Sequence, residues 1–332
     1  MSIPVIDISV FGDESIDNTD GFRLSHAQHE IARQVRDACI QVGFFYVEGH
    51  GCPAEVFDDM FSQMKLFFDQ PSDAKNALVA SNNPLWRGYN SVETGAHSCT
   101  PEDAPNHLPD LKESFTIGAE SDPEKTSSPM HGSNQWPMNM NGFERAARTY
   151  WNTLEQVVAK RLTRALAASL QLPLEFFEKK TTHPHSQMVL LRYPPASDGC
   201  GSSRSEPRRG CGAHTDCGFV TIVAQDGDGL EVRTSDGTWA LAPTKKETFI
   251  VNLGDMMAHW TNDLYKSTEH RVSNKGAETR HSIPFFHTVD YDTLVETIPS
   301  CRHFRNGEVY DCCTSGEYIL KKLGLMYLAK SK

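Results

Sequence analysis

The chain has 332 residues, 39% of them hydrophobic, and a formal net charge of −11, enough apolar material for a sizeable core in one large or two small domains. An acidic chain with no long basic run argues against nucleic acid or an anionic membrane as the main partner. The nine cysteines are odd in number and scattered, with Cys312 and Cys313 adjacent, which is not the spacing of a secreted disulfide framework. No apolar run approaches the ~20 residues of a membrane span, and Met1-Ser2-Ile3-Pro4 offers neither a basic n-region nor an h-region. A soluble, cytoplasmic protein with reduced thiols is expected, acting on a small molecule without nucleic-acid or membrane partners; the sequence leaves the oligomeric state open, with a monomer favoured over an assembly.

The N-terminal part reads as helical. Ile31, Val35, Ala38 and Cys39 or Val42 lie at helical spacing within His26 to Val42, and Gly43 ends the pattern. Pro53 to Phe68 carries Val56, Met60, Met64 and Phe67 along one face. Asn141 to Leu170 reads as one long helix with Tyr150, Leu154, Val157, Val158, Leu162 and Leu166 in register, stopped by Pro173. From about Ser186 the pattern changes to short β-rich runs, among them Met188 to Tyr193, Phe219 to Val223, Leu230 to Val232, Thr248 to Val251 and His281 to Phe286. Turns such as Asp226-Gly227-Asp228-Gly229 separate them, which suggests a sandwich or barrel. There is no internal repeat.

The chemistry lies in this second part. His214-Thr215-Asp216 places two metal-binding side chains at i and i+2, on one face if the segment is a strand. Lys266 to Val272 alternates like a further strand and offers His270 as a third ligand. Two imidazoles and one carboxylate form the set that leaves Fe(II) three open positions for O2 chemistry. Arg280 and Ser282 are again i and i+2, and a guanidinium beside a hydroxyl suits the grip of a carboxylate, so a dicarboxylate cosubstrate fits. An H-x-D triplet alone is weak, since a hydrogen-bonded histidine on a strand gives the same pattern. The ordered set carries the weight, with a zinc hydrolase as a competing use of the same ligands.

Further segments accompany the set: Ile3 to Ile8, Gly43 to Val47 running into Gly49-His50-Gly51, Trp86 to Tyr89, Pro109 to Phe115, Asn134 to Pro137, Asn252 to Asp255 and Thr314 to Tyr318. With them, nearly the whole chain resembles the isopenicillin N synthase-like branch of the Fe(II)/2-oxoglutarate-dependent dioxygenases. The resemblance implies a mostly β fold with bracing helices around a double-stranded β-helix, or jelly roll. Residues 1–180 are then a mostly helical brace that contributes strands, 181–300 the catalytic core and 301–332 a C-terminal helical segment near the site.

The resemblance also implies Fe(II) held by His214, Asp216 and His270, with 2-oxoglutarate and O2 as cosubstrates. Arg280 and Ser282 would hold the 5-carboxylate of 2-oxoglutarate with help from Tyr193, while Leu191 stands where relatives often carry Asn. Trp86, Arg87, Tyr89 and Phe115 fall in segments on the substrate side, with Phe286, His287, Tyr318 and Met326 on the other wall. The Gly/Ser/Arg-rich link Ala196 to Gly212, with Arg204, Arg208 and Arg209, reads as a solvated surface loop, or alternatively as a lid that offers positive charge to an anionic substrate. The implied activity is oxidation of a small molecule, carboxylated or amino-acid-derived, by hydrogen abstraction at the iron, releasing succinate and CO2. Hydroxylation, desaturation and oxidative ring closure such as kainoid-type cyclisation all remain open. A cosubstrate-free iron oxidase and a non-catalytic binder on the same fold are the alternatives.

Overall fold

The computed structural model describes residues 3–12, 24–92, 110–120, 128–195, 210–273 and 276–330, with side chains as far as residue 324. In chain order the strands and helices are β1 (Val5–Asp7), α1 (His26–Gln41), β2 (Phe44–Glu48), α2 (Ala54–Phe68), α3 (Ser72–Asn76), β3 (Gly88–Asn90), β4 (Glu113–Gly118), α4 (Asn141–Thr153) and α5 (Ala159–Ser169). There follow β5 (Gln187–Tyr193), β6 (Cys211–His214), β7 (Val220–Gln225), β8 (Leu230–Arg233), β9 (Trp239–Leu241), β10 (Phe249–Leu253), α6 (Asp255–Trp260), β11 (His270–Val272) and β12 (Arg280–His287). The chain then forms β13 (Leu294–Val295), β14 (Cys313–Thr314) and α7 (Ser315–Lys330). Among the described residues no helix is long and apolar enough to cross a membrane.

Two sheets hold the site. The major one has the order β1-β2-β10-β7-β12-β5-β4-β3 and the minor one β6-β11-β8-β9. All of their pairs are antiparallel except β1 with β2. Because strand side chains alternate, each strand of the major sheet serves two environments. Met188 and Leu190 of β5 join the large core that also contains apolar side chains of α1, α2, α4 and α5. Val189, Leu191 and Tyr193 of the same strand line a cavity together with residues of the minor sheet. A smaller apolar cluster includes Phe44, Tyr46, Leu230, Val232, Ile250 and Val272, and its Leu230 and Val272 also line the cavity.

The helices follow from their sequences, with one exception. Ser25 caps α1 through a capping box, its hydroxyl accepting from Gln28 N–H at 3.2 Å and its own N–H donating to the Gln28 side chain at 2.9 Å. Gly43 (φ +72) ends the helix, and a Cβ there would lie 2.3 Å from the Lys266 carbonyl oxygen, so the turn requires glycine. The expected single helix from Asn141 to Leu170 instead contains a π-helical turn, Leu154–Val158. The extra residue in that turn shifts the apolar face, so that Val158 and Ala159 are buried while Val157 stays half-buried.

Candidate active site

His214 closes β6 and faces His270 directly across the β6–β11 ladder, with ring centroids 4.3 Å apart. Asp216 Oδ1 lies 3.8 Å from His214 Nε2 and 3.7 Å from His270 Nε2. These ligand atoms all fall within 4.8 Å of one another, close enough to share one ion. Their other polar atoms are occupied. His214 Nδ1 meets the Gly212 carbonyl at 2.8 Å and His270 Nδ1 the Thr268 carbonyl at 3.1 Å. A carbonyl can only accept, so both rings carry hydrogen on Nδ1 and turn Nε2 inward, the atom that would ligate a metal. Asp216 Oδ2 accepts from Thr221 Oγ1 at 2.5 Å and Asn252 Nδ2 at 2.6 Å, leaving Oδ1 for a metal. The residues present therefore fit the two-histidine, one-carboxylate face of Fe(II).

The local backbone differs from the expected one. β6 ends at His214, so Asp216 lies beyond the ladder rather than on the same strand. Its carbonyl is fixed by the N–H of Asp255 at 2.7 Å. A Cβ on Gly254 would come within 2.1 Å of the Gly218 carbonyl oxygen, which accounts for the Gly254-Asp255 pair. β11 likewise begins at His270, not Lys266. Ser267 and Thr268 bond the Asp255 carboxylate and the Val42 carbonyl, at 2.7 and 2.6 Å, instead of joining the ladder.

Protonation in this site is coupled. Burial pulls His214 down, but the Cys211 sulfur and Asp216 outweigh it and push its pKa up to about 9. Burial and then the neighbouring His214 push His270 down to about 4. Burial would raise Asp216, yet His270 and His214 hold it below the ordinary carboxylate range. Metal binding at His214 therefore competes with a proton.

The cavity is about 220 Å³ and also contains Tyr193, Arg280, Ser282 and Phe286. Arg280, 4% exposed, donates to the Gly227 carbonyl (2.9 Å), Ser282 Oγ (3.3 Å) and Gln225 Oε1 (2.8 Å) and lies 4.9 Å over the Tyr193 ring. Among the described residues no carboxylate forms a salt bridge with it. A buried guanidinium without a protein counter-ion, beside two hydroxyls in a cavity, is a cradle for a ligand carboxylate. Asp226 fixes the backbone behind it, accepting from the His281 N–H at 2.7 Å and lying 3.0 Å from His281 Nδ1.

Other expected contacts are not in the cavity wall. Tyr89 and Phe115 face the helices. Phe115 packs 4.7 Å from Phe67 and 5.4 Å from Phe143, and Tyr89 donates to Glu113 Oε2 at 2.6 Å. Their neighbours Asn90, Ser114 and Thr116 line the cavity instead, so the expectation was one residue out of phase. Arg87 is buried against loop carbonyls, donating to those of Gly132, Ala119 and Met130. It is followed by Gly88 at φ +114, which breaks the simple alternation. Trp86 is half exposed, and His287 packs beside Phe285 and Phe219. Tyr318 lines a separate groove of about 1020 Å³ that holds none of the cofactor candidates. Residues 196–209, with the three lid arginines, and the Met326 side chain lie outside the described residues. Lys112, Thr221, Gln225 and Asn252 were not singled out from sequence, although Lys112 and Asn252 stood in segments that matched.

The chain's relatives have the same chemistry. Residues 3–139 match the family described as non-haem dioxygenase in morphine synthesis N-terminal, and residues 184–289 match the 2OG-Fe(II) oxygenase superfamily. A homoarginine-6-hydroxylase of Oryza sativa subsp. japonica is 32% identical over 333 residues, covering 97% of this chain and 96% of the relative. A 2-oxoglutarate-dependent dioxygenase of Aspergillus niger is 35% identical over 268 residues, covering 78% of each. A full-length Neurospora crassa protein solved in complex with alpha-KG and thymine superimposes with a TM-score of 0.80 at 26% identity, over 98% of this chain and 97% of that one. The chain belongs to the 2OG-Fe(II) oxygenase superfamily and is a non-haem dioxygenase that uses Fe(II), 2-oxoglutarate and O2.

Proposed function

We propose that this oxygenase oxidises a small carboxylated or amino-acid-derived metabolite, with His214, Asp216 and His270 holding the iron and Arg280, Ser282 and Tyr193 holding the 5-carboxylate of 2-oxoglutarate. The observation that carries the reading is the single cavity of about 220 Å³ in which all six residues meet, a space suited to the cosubstrate and a compact substrate rather than a macromolecule. The bound iron supplies the oxidising chemistry, consuming O2 and 2-oxoglutarate and releasing succinate and CO2. The chain's own residues orient and enclose. Asn252 and Thr221 keep one Asp216 oxygen engaged, Phe286 and Val189 exclude water, and the polar strip of Ser114, Thr116 and Asn90 selects the substrate's position.

Hydroxylation is the first outcome to test, supported by the name of the rice relative, a homoarginine-6-hydroxylase. Desaturation or ring closure would follow from the same hydrogen abstraction where the substrate is held differently. The acidic charge balance is in keeping with action without nucleic acid or an anionic membrane surface. The test is an anaerobic titration with Fe(II) and 2-oxoglutarate, followed by O2-dependent succinate release across amino acids, beginning with homoarginine. A charge-transfer band that is absent in His270→Ala, with turnover of small acids, supports the reading. Turnover confined to uncharged molecules removes it.

A further inference from the structure

The cavity has a second cation that the cosubstrate cradle does not use. Lys112 precedes β4 and lies on the same face as Ser114 and Thr116, and all three line the cavity. The register pairs Ser114 with Leu191 and Thr116 with Val189 on β5. On the other side of β5, Leu191 pairs with Ser282 and Tyr193 with Arg280, and Ser282 pairs in turn with Gln225 on β7. Continued by one residue, the β4 register places Lys112 opposite Tyr193. The floor thus has two lanes, with Arg280 and Ser282 in one and Lys112, Ser114, Thr116 and Asn90 in the other. Leu191 and Val189 form an aliphatic ridge between them.

Lys112 is 8% exposed and firmly held. Its Nζ lies 3.0 Å from Asp110 Oδ2 and 3.0 Å from Cys211 Sγ. Asp110 is itself anchored by the Gly212 N–H, which donates to its Oδ1 at 3.0 Å. An ammonium has three N–H groups. Among the described residues the Cys211 sulfur accepts one of them and Asp110 faces the ammonium as an ion pair without accepting a hydrogen bond at Oδ2, so N–H capacity is left towards the cavity that Lys112 lines. The rest of that lane is neutral, so a substrate that offers no acceptor there would leave this remaining N–H capacity desolvated and unmet, which is costly in a closed site. A carboxylate would satisfy it.

We propose that Lys112 is the residue that selects the substrate, receiving a carboxylate or equally compact anionic group, while Ser114, Thr116 and Asn90 hydrogen-bond the polar part of the molecule beside it. This deepens the reading given under Proposed function and rests on it. It places the substrate's anion in a lane separate from the 5-carboxylate of 2-oxoglutarate, so that the two anions do not compete for Arg280.

The test uses the full chain loaded with Fe(II) and 2-oxoglutarate and a set of small carboxylic acids, each paired with its primary amide. Binding is read from perturbation of the charge-transfer band without O2, and turnover from succinate release with O2. The acids perturb the band and the amides do not. Lys112→Met raises KM for the acids roughly 30-fold, the size expected for a lost buried charge partner, with a smaller change in kcat and no change in 2-oxoglutarate affinity. Lys112→Arg recovers part of the loss. The double variant Asp110→Asn with Lys112→Met, which leaves no stranded carboxylate, keeps the KM effect if the single variant folds poorly. Equal binding of acids and amides, no binding of either, or an unchanged KM in folded Lys112→Met overturns the proposal. Loss of the 2-oxoglutarate band in Lys112→Met also overturns it, by putting Lys112 in the cosubstrate lane. Absence of that band in the unaltered protein would instead defeat the underlying assignment of the cofactor site.

Discussion

Asn252 donates to the Oδ2 of Asp216 at 2.6 Å, and this bond decides which carboxylate oxygen faces the histidines. With Thr221 on the same oxygen, the carboxylate cannot rotate to chelate an ion through both atoms. Asn252 lies on β10 directly opposite Thr221 on β7, so the major sheet orients a ligand that belongs to neither strand. Replacing Asn252 by Ala should weaken Fe(II) or Co(II) binding by roughly 10- to 100-fold, the usual effect of losing an outer partner of a metal ligand. Metal titration with far-UV circular dichroism as a folding control checks this; unchanged affinity would show that Thr221 suffices.

The π-helical turn carries a second group with a measurable signature. Burial raises the Glu155 carboxyl to about 7, only partly opposed by the Trp151 indole N–H that donates to Oε2 at 3.2 Å, and Oε1 is buried without a partner. A carboxyl whose folded pKa lies above its unfolded one is protonated more readily in the native state. Stability is therefore lost as pH rises from about 4.5 towards about 7. The shift corresponds to about 3 kcal/mol as an upper bound. Glu155→Gln, which keeps the shape and removes the charge, should flatten the decline and stabilise the protein at pH 8. Urea midpoints at pH 5 and pH 8 for both proteins test it, and parallel pH profiles would refute it.

Much of the site was legible because its chemistry is local. Spacings of two residues place Arg280 with Ser282, and glycine with alternating apolar residues marks the strands that carry them. The ladder that brings His270 against His214 was not readable in detail, since pairing depends on which segments meet across the fold. The phase of β3 and β4 failed for a related reason: in a short strand such as Ser114-Phe115-Thr116 the lone Phe115 could face either layer, and only the helices behind the sheet decide that it turns towards them. Lys112 and Cys211 were invisible as a pair, being 99 residues apart. The π-turn was hidden as well, since Val157 and Val158 are equally apolar.

Arg280 should be irreplaceable by lysine. Its guanidinium makes three separate hydrogen bonds, to Gly227, Ser282 and Gln225, and an ammonium on a shorter planar-free stem cannot hold all three and still face the cavity. Arg280→Lys and Arg280→Ala should both raise the dissociation constant for 2-oxoglutarate by at least roughly 30-fold, the scale of a buried charge-assisted contact, while Fe(II) affinity changes little. Separate titrations with metal and cosubstrate distinguish the two effects. A Lys variant that binds 2-oxoglutarate normally would show that charge alone, not geometry, holds the carboxylate.

The placement of Phe115 on the helical face yields the sharpest contrast between neighbours. Phe115 is fully buried between Phe67 and Phe143, so Phe115→Ala should cost about 3–5 kcal/mol of stability and leave the KM of the folded protein for its substrate unchanged. Thr116, one residue on, lines the cavity and has no such packing role. Thr116→Val, nearly the same shape without the hydroxyl, should leave the urea midpoint within the ordinary range of surface-like changes, about 0.5 kcal/mol, but alter substrate KM or the distribution of products. Comparing unfolding midpoints and steady-state constants for the two variants separates the faces of one strand. A KM change in Phe115→Ala with normal stability would place the aromatic side chain in the cavity after all.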